Sequence, residues 1–139
     1  LISFYIQTGT VTPTSVLVSF PSFLLVGAIL LANNIRDLDG DKEFGRKTLA
    51  ILLGRKGAIR LLAGMFIVSY AWVIGLIIAG VVSPWVAIVA LSIPKAVKAT
   101  NGFIGKSNPL QMMPAMANTA KTNTIFGLLL SVGIFISLI

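Results

Sequence analysis

The feature that most constrains this chain is a series of apolar runs, each about as long as a bilayer is thick. A helix needs about 20 predominantly apolar residues to cross the hydrocarbon core. Four stretches approach that length: Thr14 to Ile35, Ala58 to Ala79, Pro84 to Ala99, and Thr124 to Ile139. Residues Leu1 to Gln7 read as the tail of a preceding span. Pro84 suits the first turn of its helix, whereas Pro94 predicts a kink or an early end. Between the third and fourth runs, Lys106 to Lys121 carries Asn108-Pro109 and Met113-Pro114 and is polar. This segment predicts an interfacial cap on the bundle, not a span. The fold class expected is an all-α, polytopic transmembrane helical bundle with four full spans in this chain.

Composition agrees. Charged residues make up 11% of the chain against 56% hydrophobic, where a soluble domain carries roughly 25% charged residues. The net charge of +7 does not point to nucleic acid, because no polar face interleaves aromatic with basic residues. All the cations fall in two places. Arg36, Lys42, Arg46, Lys47, Arg55, Lys56 and Arg60 lie between the first two spans. Lys95, Lys98, Lys106 and Lys121 lie at the end of the third and just after it. The positive-inside rule puts both connections in the cytoplasm and the C-terminus outside. Trp85, beside Pro84, then reads as an anchor at the outer interface, and Met112, Met113 and Met116 as packing residues. Asn101, Asn118 and Asn123 read as loop caps near the cytoplasmic side.

Histidine and cysteine are absent. A bound metal would have to be a hard cation on oxygen ligands. All four acidic residues, Asp37, Asp39, Asp41 and Glu43, sit within seven positions at the cytoplasmic end of the first span. Asn33, Asp37 and Asp41 follow one another at intervals of four, so a continuous helix presents them on one face and turns Asp39 elsewhere. Clustered carboxylates repel unless a cation neutralises them. Two carboxylates with an amide oxygen suit Mg2+ that keeps waters and phosphate oxygens. Lys42, Arg46 and Lys47 follow at once and suit a diphosphate. The same pattern also describes a solvated juxtamembrane loop whose acids pair with its own bases.

The stretch Asn33-Asn34-Ile35-Arg36-Asp37-Leu38-Asp39-Gly40-Asp41, with Gly45-Arg46-Lys47-Thr48-Leu49-Ala50 and Leu53-Gly54, resembles the second aspartate motif of the UbiA superfamily of intramembrane prenyltransferases. Within it, the motif is most similar to the menaquinone-pathway branch, and Tyr5 to Gly9 shares that likeness. The resemblance implies about nine spans around a central cavity, of which this chain, residues 1–139, is the C-terminal part of one domain. The first aspartate motif of the family is missing here, so the chain alone is expected to be inactive. The implied enzyme is a Mg2+-dependent prenyltransferase of the cell membrane, whose partners are polyprenyl diphosphate, an aromatic acceptor and the lipid bilayer. In the branch named, the acceptor is 1,4-dihydroxy-2-naphthoate and the product demethylmenaquinone; another aromatic or lipid acceptor is the alternative. Asp37 and Asp41 are the candidate Mg2+ ligands and catalytic residues. Asn33, Lys42, Arg46 and Lys47 are candidates for the diphosphate. Asp39 is expected to organise the loop, and Arg36 to pair with a neighbouring acid. A segment of a cation transporter and an inactive remnant are the readings of other classes. The absence of any mid-span ionisable residue argues against the first of these.

Overall fold

The computed structural model describes residues 1–137; the last two residues of the expected fourth span lie outside that range. The described chain is helical throughout: α1 (Ile2–Thr8), α2 (Pro13–Arg36), α3 (Leu38–Glu43), α4 (Leu49–Ile78), a 3-10 segment (Pro84–Ser92), α5 (Ile93–Asn101) and α6 (Pro109–Ile136). Three of these, α2, α4 and α6, are long and apolar enough to cross a membrane.

Local chemistry sets the ends. Thr12 and Ser15 close a reciprocal capping box on α2, with Pro13 at the first helical position, where its missing N–H costs nothing. Thr48 and Asn108 cap α4 and α6. Within α4, Gly54 holds φ 68° and ψ 160°, a region essentially closed to residues with a Cβ. The kink separates a short apolar turn, Leu49 to Leu53, from the long span and sets the direction in which Arg55 leaves it.

Two expectations are corrected. The span count of four becomes three, because Pro84 to Ala99 is not one long α-helix. It is a 3-10 helix continued by the nine-residue α5. The pair nevertheless runs the length of α6. Val86 packs on Gly133 and Gly102 packs on Ala115, and those two α6 positions are ~27 Å apart at 1.5 Å per residue. The greater rise of a 3-10 helix, about 2.0 Å per residue, lets so short a segment cover that distance. The second correction concerns Lys106 to Lys121. From Pro109 onward this is no interfacial cap but the first half of α6. Its polarity is hidden locally: Thr119 donates to the Ala115 carbonyl at 3.0 Å and, just past the segment, Thr122 to the Asn118 carbonyl at 2.8 Å. Both threonines are buried, and such back-bonding satisfies a hydroxyl without a loop. Asn118 and Asn123 therefore lie within a helix and cap no loop; the Asn118 amide donates to the Pro114 carbonyl at 2.8 Å.

The core joins α2, α4, the 3-10 segment, α5 and α6 around Leu25, Ile35, Leu62, Phe66, Phe103 and Phe126. Met112 lies fully inside it and Met116 against it, whereas Met113 is half exposed. Trp72 donates to the Leu17 carbonyl at 2.9 Å and stacks obliquely on Phe20, tying α4 to α2. Ser92 gives its only proton to the Val89 carbonyl, so the 2.6 Å contact between Tyr70 and Ser92 is donated by tyrosine. Large apolar side chains cover the outside, among them Phe23, Leu30, Ile67, Ile78, Leu91 and Phe135, and Trp85 is exposed as well. Such a surface fits hydrocarbon or further protein, not water.

Candidate functional site

The acidic motif lies where α2 gives way to α3. The helix does not run straight through it. Asp37 leaves helical geometry at φ −90° and ψ 5° and serves both as the last residue of one helix and the first of the next. The i to i+4 ladder survives the bend: Asp37 N–H donates to the Asn33 carbonyl at 3.0 Å, and Asp41 N–H to the Asp37 carbonyl at 2.8 Å. Asp37 and Asp41 thus stay on one side, and the bend falls at Asp37.

The end of α3 explains how a cation reaches Asp41. Gly45 takes φ 71°, its N–H donates to the Lys42 carbonyl at 3.1 Å, and Arg46 N–H donates to the Asp41 carbonyl at 2.9 Å. This is the Schellman arrangement. It folds the chain back so that the Arg46 guanidinium meets the Asp41 carboxylate at 3.1 Å.

Asp37, Asp39, Asp41, Arg36 and Arg46 line one pocket of about 360 Å³, together with Gly40, Phe44 and Pro109. Pro109 opens α6, so the connection after α5 meets the acidic motif at one end of the bundle. Three ion pairs organise the wall. Arg36 grips Asp37 with two nitrogens, each at 2.6 Å. Arg46 takes a single oxygen of Asp41. Arg55, from α4, holds Asp39 at 2.7 Å. Asp41 is buried, whereas Arg46 is 71% exposed.

The Arg36 hydrogen bonds hold the Asp37 carboxyl below its ordinary 3.8, against the opposing effect of partial burial and with help from the Arg36 and Arg46 charges. A carboxylate lowered in this way adds stability above the unfolded value and loses it as pH falls through the lowered, folded value. Thermal unfolding of the full-length protein in detergent should therefore show a constant gap between wild type and Asp37→Asn above pH 3.8. The gap should close only below that value; closure at neutral pH would show that the pair contributes nothing.

Of the residues expected at the site, Asp37, Asp41 and Arg46 share the pocket. Asn33 sits one turn back along α2 and does not line it. Lys42 and Lys47 are exposed and likewise lie off the pocket wall. Asp39, expected to face elsewhere, is in the wall. Arg36 pairs with an acid as expected and also lines the pocket. Arg55 carried no assigned role; its signal was its position directly after a glycine that breaks α4.

The donors match a divalent cation in kind, since carboxylate oxygens are what Mg2+ takes. They do not complete a cage: among the described residues, no three acidic, histidine or cysteine groups converge on one point. Asp41, held through one oxygen, keeps the other available. What the chain offers is one side of a site for a cation that brings waters and phosphate oxygens of its own.

The UbiA prenyltransferase family profile matches residues 1–122. Over 137 residues the chain is 56% identical to 1,4-dihydroxy-2-naphthoate octaprenyltransferase of Bacillus subtilis, covering 99% of this chain and 44% of that protein. The Escherichia coli protein of the same description is 31% identical over 97% of the chain and 44% of its own length. UbiA prenyltransferase domain-containing protein 1 of Mus musculus is 31% identical over 99% of the chain and 39% of its own length. The chain thus spans less than half the length of these curated relatives. No solved structure matches.

Proposed function

The chain belongs to the UbiA prenyltransferase family, and from that premise we propose that the whole protein transfers a polyprenyl chain from polyprenyl diphosphate to 1,4-dihydroxy-2-naphthoate. It is a multi-pass membrane protein. The observation that carries the reading is the pocket in which two carboxylates, Asp37 and Asp41, meet two guanidiniums, Arg36 and Arg46, at one end of an apolar bundle. The bilingual chemistry of the substrate, a charged diphosphate on a hydrocarbon tail, requires such a junction. The 56% identity to the Bacillus subtilis enzyme favours the naphthoate acceptor.

Members of this family generally depend on Mg2+. Asp37 and Asp41 would hold it here, and when bound it offsets the charge of the departing diphosphate. The arginines act on the same group. Planar guanidiniums bind non-bridging phosphate oxygens in pairs, and Arg46, exposed and tied to one carboxylate oxygen, is free to swing to a diphosphate. The apolar helices keep water from the allylic carbon once its C–O bond breaks and the bonding pair leaves with the diphosphate. The ring carbon of the acceptor then forms the new C–C bond. Loss of the ring carboxylate as CO2 returns its electron pair to the ring and yields the quinol, the reduced form of demethylmenaquinone, with no oxidant required.

The basic residues between α2 and the main span of α4, and those around and after α5, support a pocket on the cytoplasmic face and a C-terminus outside. The test uses the full-length protein with polyprenyl diphosphate and either 1,4-dihydroxy-2-naphthoate or 4-hydroxybenzoate, in Mg2+ or in excess chelator. Transfer to the naphthoate with CO2 release, lost in chelator, is expected. Preference for 4-hydroxybenzoate would overturn the acceptor, and undiminished transfer in chelator would overturn the metal.

A further inference from the structure

Arg55 makes contacts that no part of the proposed chemistry uses. It stands on α4 immediately after the Gly54 kink, and its side chain is 18% exposed. The guanidinium reaches three elements at once. Nη1 donates to the Ile35 carbonyl in the last turn of α2 and approaches the Met112 sulfur of α6 at 3.5 Å. Nη2 donates to Asp39 of α3 at 2.7 Å.

Each contact has a physical reason. The carbonyls of a helix's last turn lack intrahelical partners, and a cation there is favoured by the helix dipole. The bend at Asp37 leaves α3 only six residues long, too short to be stable alone. Something outside it must fix its orientation. The Asp39 carboxylate, on the side of α3 that meets α4, supplies the handle. A fork with five donors can hold the α2 carbonyl and the α3 carboxylate together; an ammonium cannot do so with the same geometry.

We propose that Arg55 is a positioning residue for the metal-diphosphate site: by clamping α3 against the end of α2 and the face of α6, it sets the relative placement of Asp37 and Asp41. It touches neither substrate nor cation in this role. The inference rests on the prenyltransferase reading and adds to it the means by which α4 controls the acidic motif.

The experiment uses the full-length protein in detergent with Arg55→Met, Arg55→Lys, Asp39→Asn and the Arg55→Met/Asp39→Asn pair. Mn2+ binding in the presence of inorganic diphosphate is followed by electron paramagnetic resonance, beside kcat and the KM for polyprenyl diphosphate and the unfolding temperature. Residues that orient metal ligands typically contribute about 10- to 100-fold in metal affinity or activity. Arg55→Met should weaken Mn2+ binding and raise KM by roughly that factor. Arg55→Lys should recover part of the loss, and Asp39→Asn should shift both in the same direction by less. The double variant should be no worse than Arg55→Met, since both act through one clamp. A lowered unfolding temperature with unchanged Mn2+ binding and KM would overturn the proposal by making Arg55 merely structural. Additive losses in the double variant would also overturn it. If Arg55→Met does not fold, the Arg55→Lys arm decides: wild-type Mn2+ binding and KM there would refute the requirement for a fork. A wild type that binds no Mn2+ and transfers no prenyl chain would instead refute the enzyme reading itself.

Discussion

Replacing Asp41 with Ala in the full-length enzyme is expected to lower prenyl transfer on the order of a hundred- to a thousandfold, the loss seen when one group aimed at developing charge is removed. Asp41 is the sharper test of the site because its surroundings separate activity from stability. Its carboxylate is buried in the pocket wall, yet its partner Arg46 is 71% exposed. Water can solvate that guanidinium once the acid is gone, so little stability is lost with the pair. Asp41→Asn keeps the shape and removes the charge, and it should fall nearly as far as the alanine variant. Asp37→Ala should be similarly impaired in transfer but should also lose stability, since it strips the two 2.6 Å hydrogen bonds from Arg36. The measurement is single-turnover transfer at saturating Mg2+ beside thermal unfolding of the same samples. Near-normal transfer by both alanine variants would remove Asp37 and Asp41 from the chemistry and return the acids to the role of a self-paired surface loop.

The membrane-spanning character and the acidic motif were legible because each depends on local composition. The runs around Leu25, Leu62 and Phe126 have no soluble explanation, and acids confined to positions 37 to 43 declare themselves by spacing. Arg46 was legible as a cation close behind the acids, though the Gly45 turn that returns it to Asp41 is visible only in the fold. Features that depend on tertiary contact were not. Periodicity extended the α2 face through Asn33, Asp37 and Asp41, but the pocket wall begins at Arg36 and Asn33 lies one turn short of Asp37, off it. Hydropathy demoted Lys106 to Lys121 because it counts a threonine hydroxyl as exposed polarity, whereas Thr119 spends its own on its helix and faces the core. Arg55 resembled any juxtamembrane cation. Its role depends on Ile35, twenty residues earlier, and on Met112, fifty-seven later, and no spacing rule links those positions.

Substitution of Gly133 is expected to have the largest effect on the fold. Apolar lipid gives helices no hydrophobic reason to associate, so close van der Waals packing over small residues holds them together. Gly133 is buried on α6 and sits against the start of the 3-10 segment. A Cβ there would lie 2.8 Å from the Val86 Cα and 2.9 Å from the Trp85 carbonyl oxygen. Both are backbone atoms, so no side chain can rotate away, and the two elements must separate. Overpacking typically costs about 1–3 kcal/mol and at times more; Gly133→Ala should sit within that range and Gly133→Leu beyond it. The damage should spread along the seam, because the 3-10 segment holds Ser92, whose hydroxyl receives Tyr70 from α4. Gly127, on the same helix, has open space where a Cβ would sit, so Gly127→Ala distinguishes a packing clash from the general loss of a glycine. The readout is the unfolding temperature and the monodisperse yield of the full-length protein in detergent. A graded loss from alanine to leucine at 133, with Gly127→Ala near wild type, is expected. If Gly133→Leu folded as well as wild type, the close approach of α6 to the 3-10 segment would not be what holds this end of the bundle.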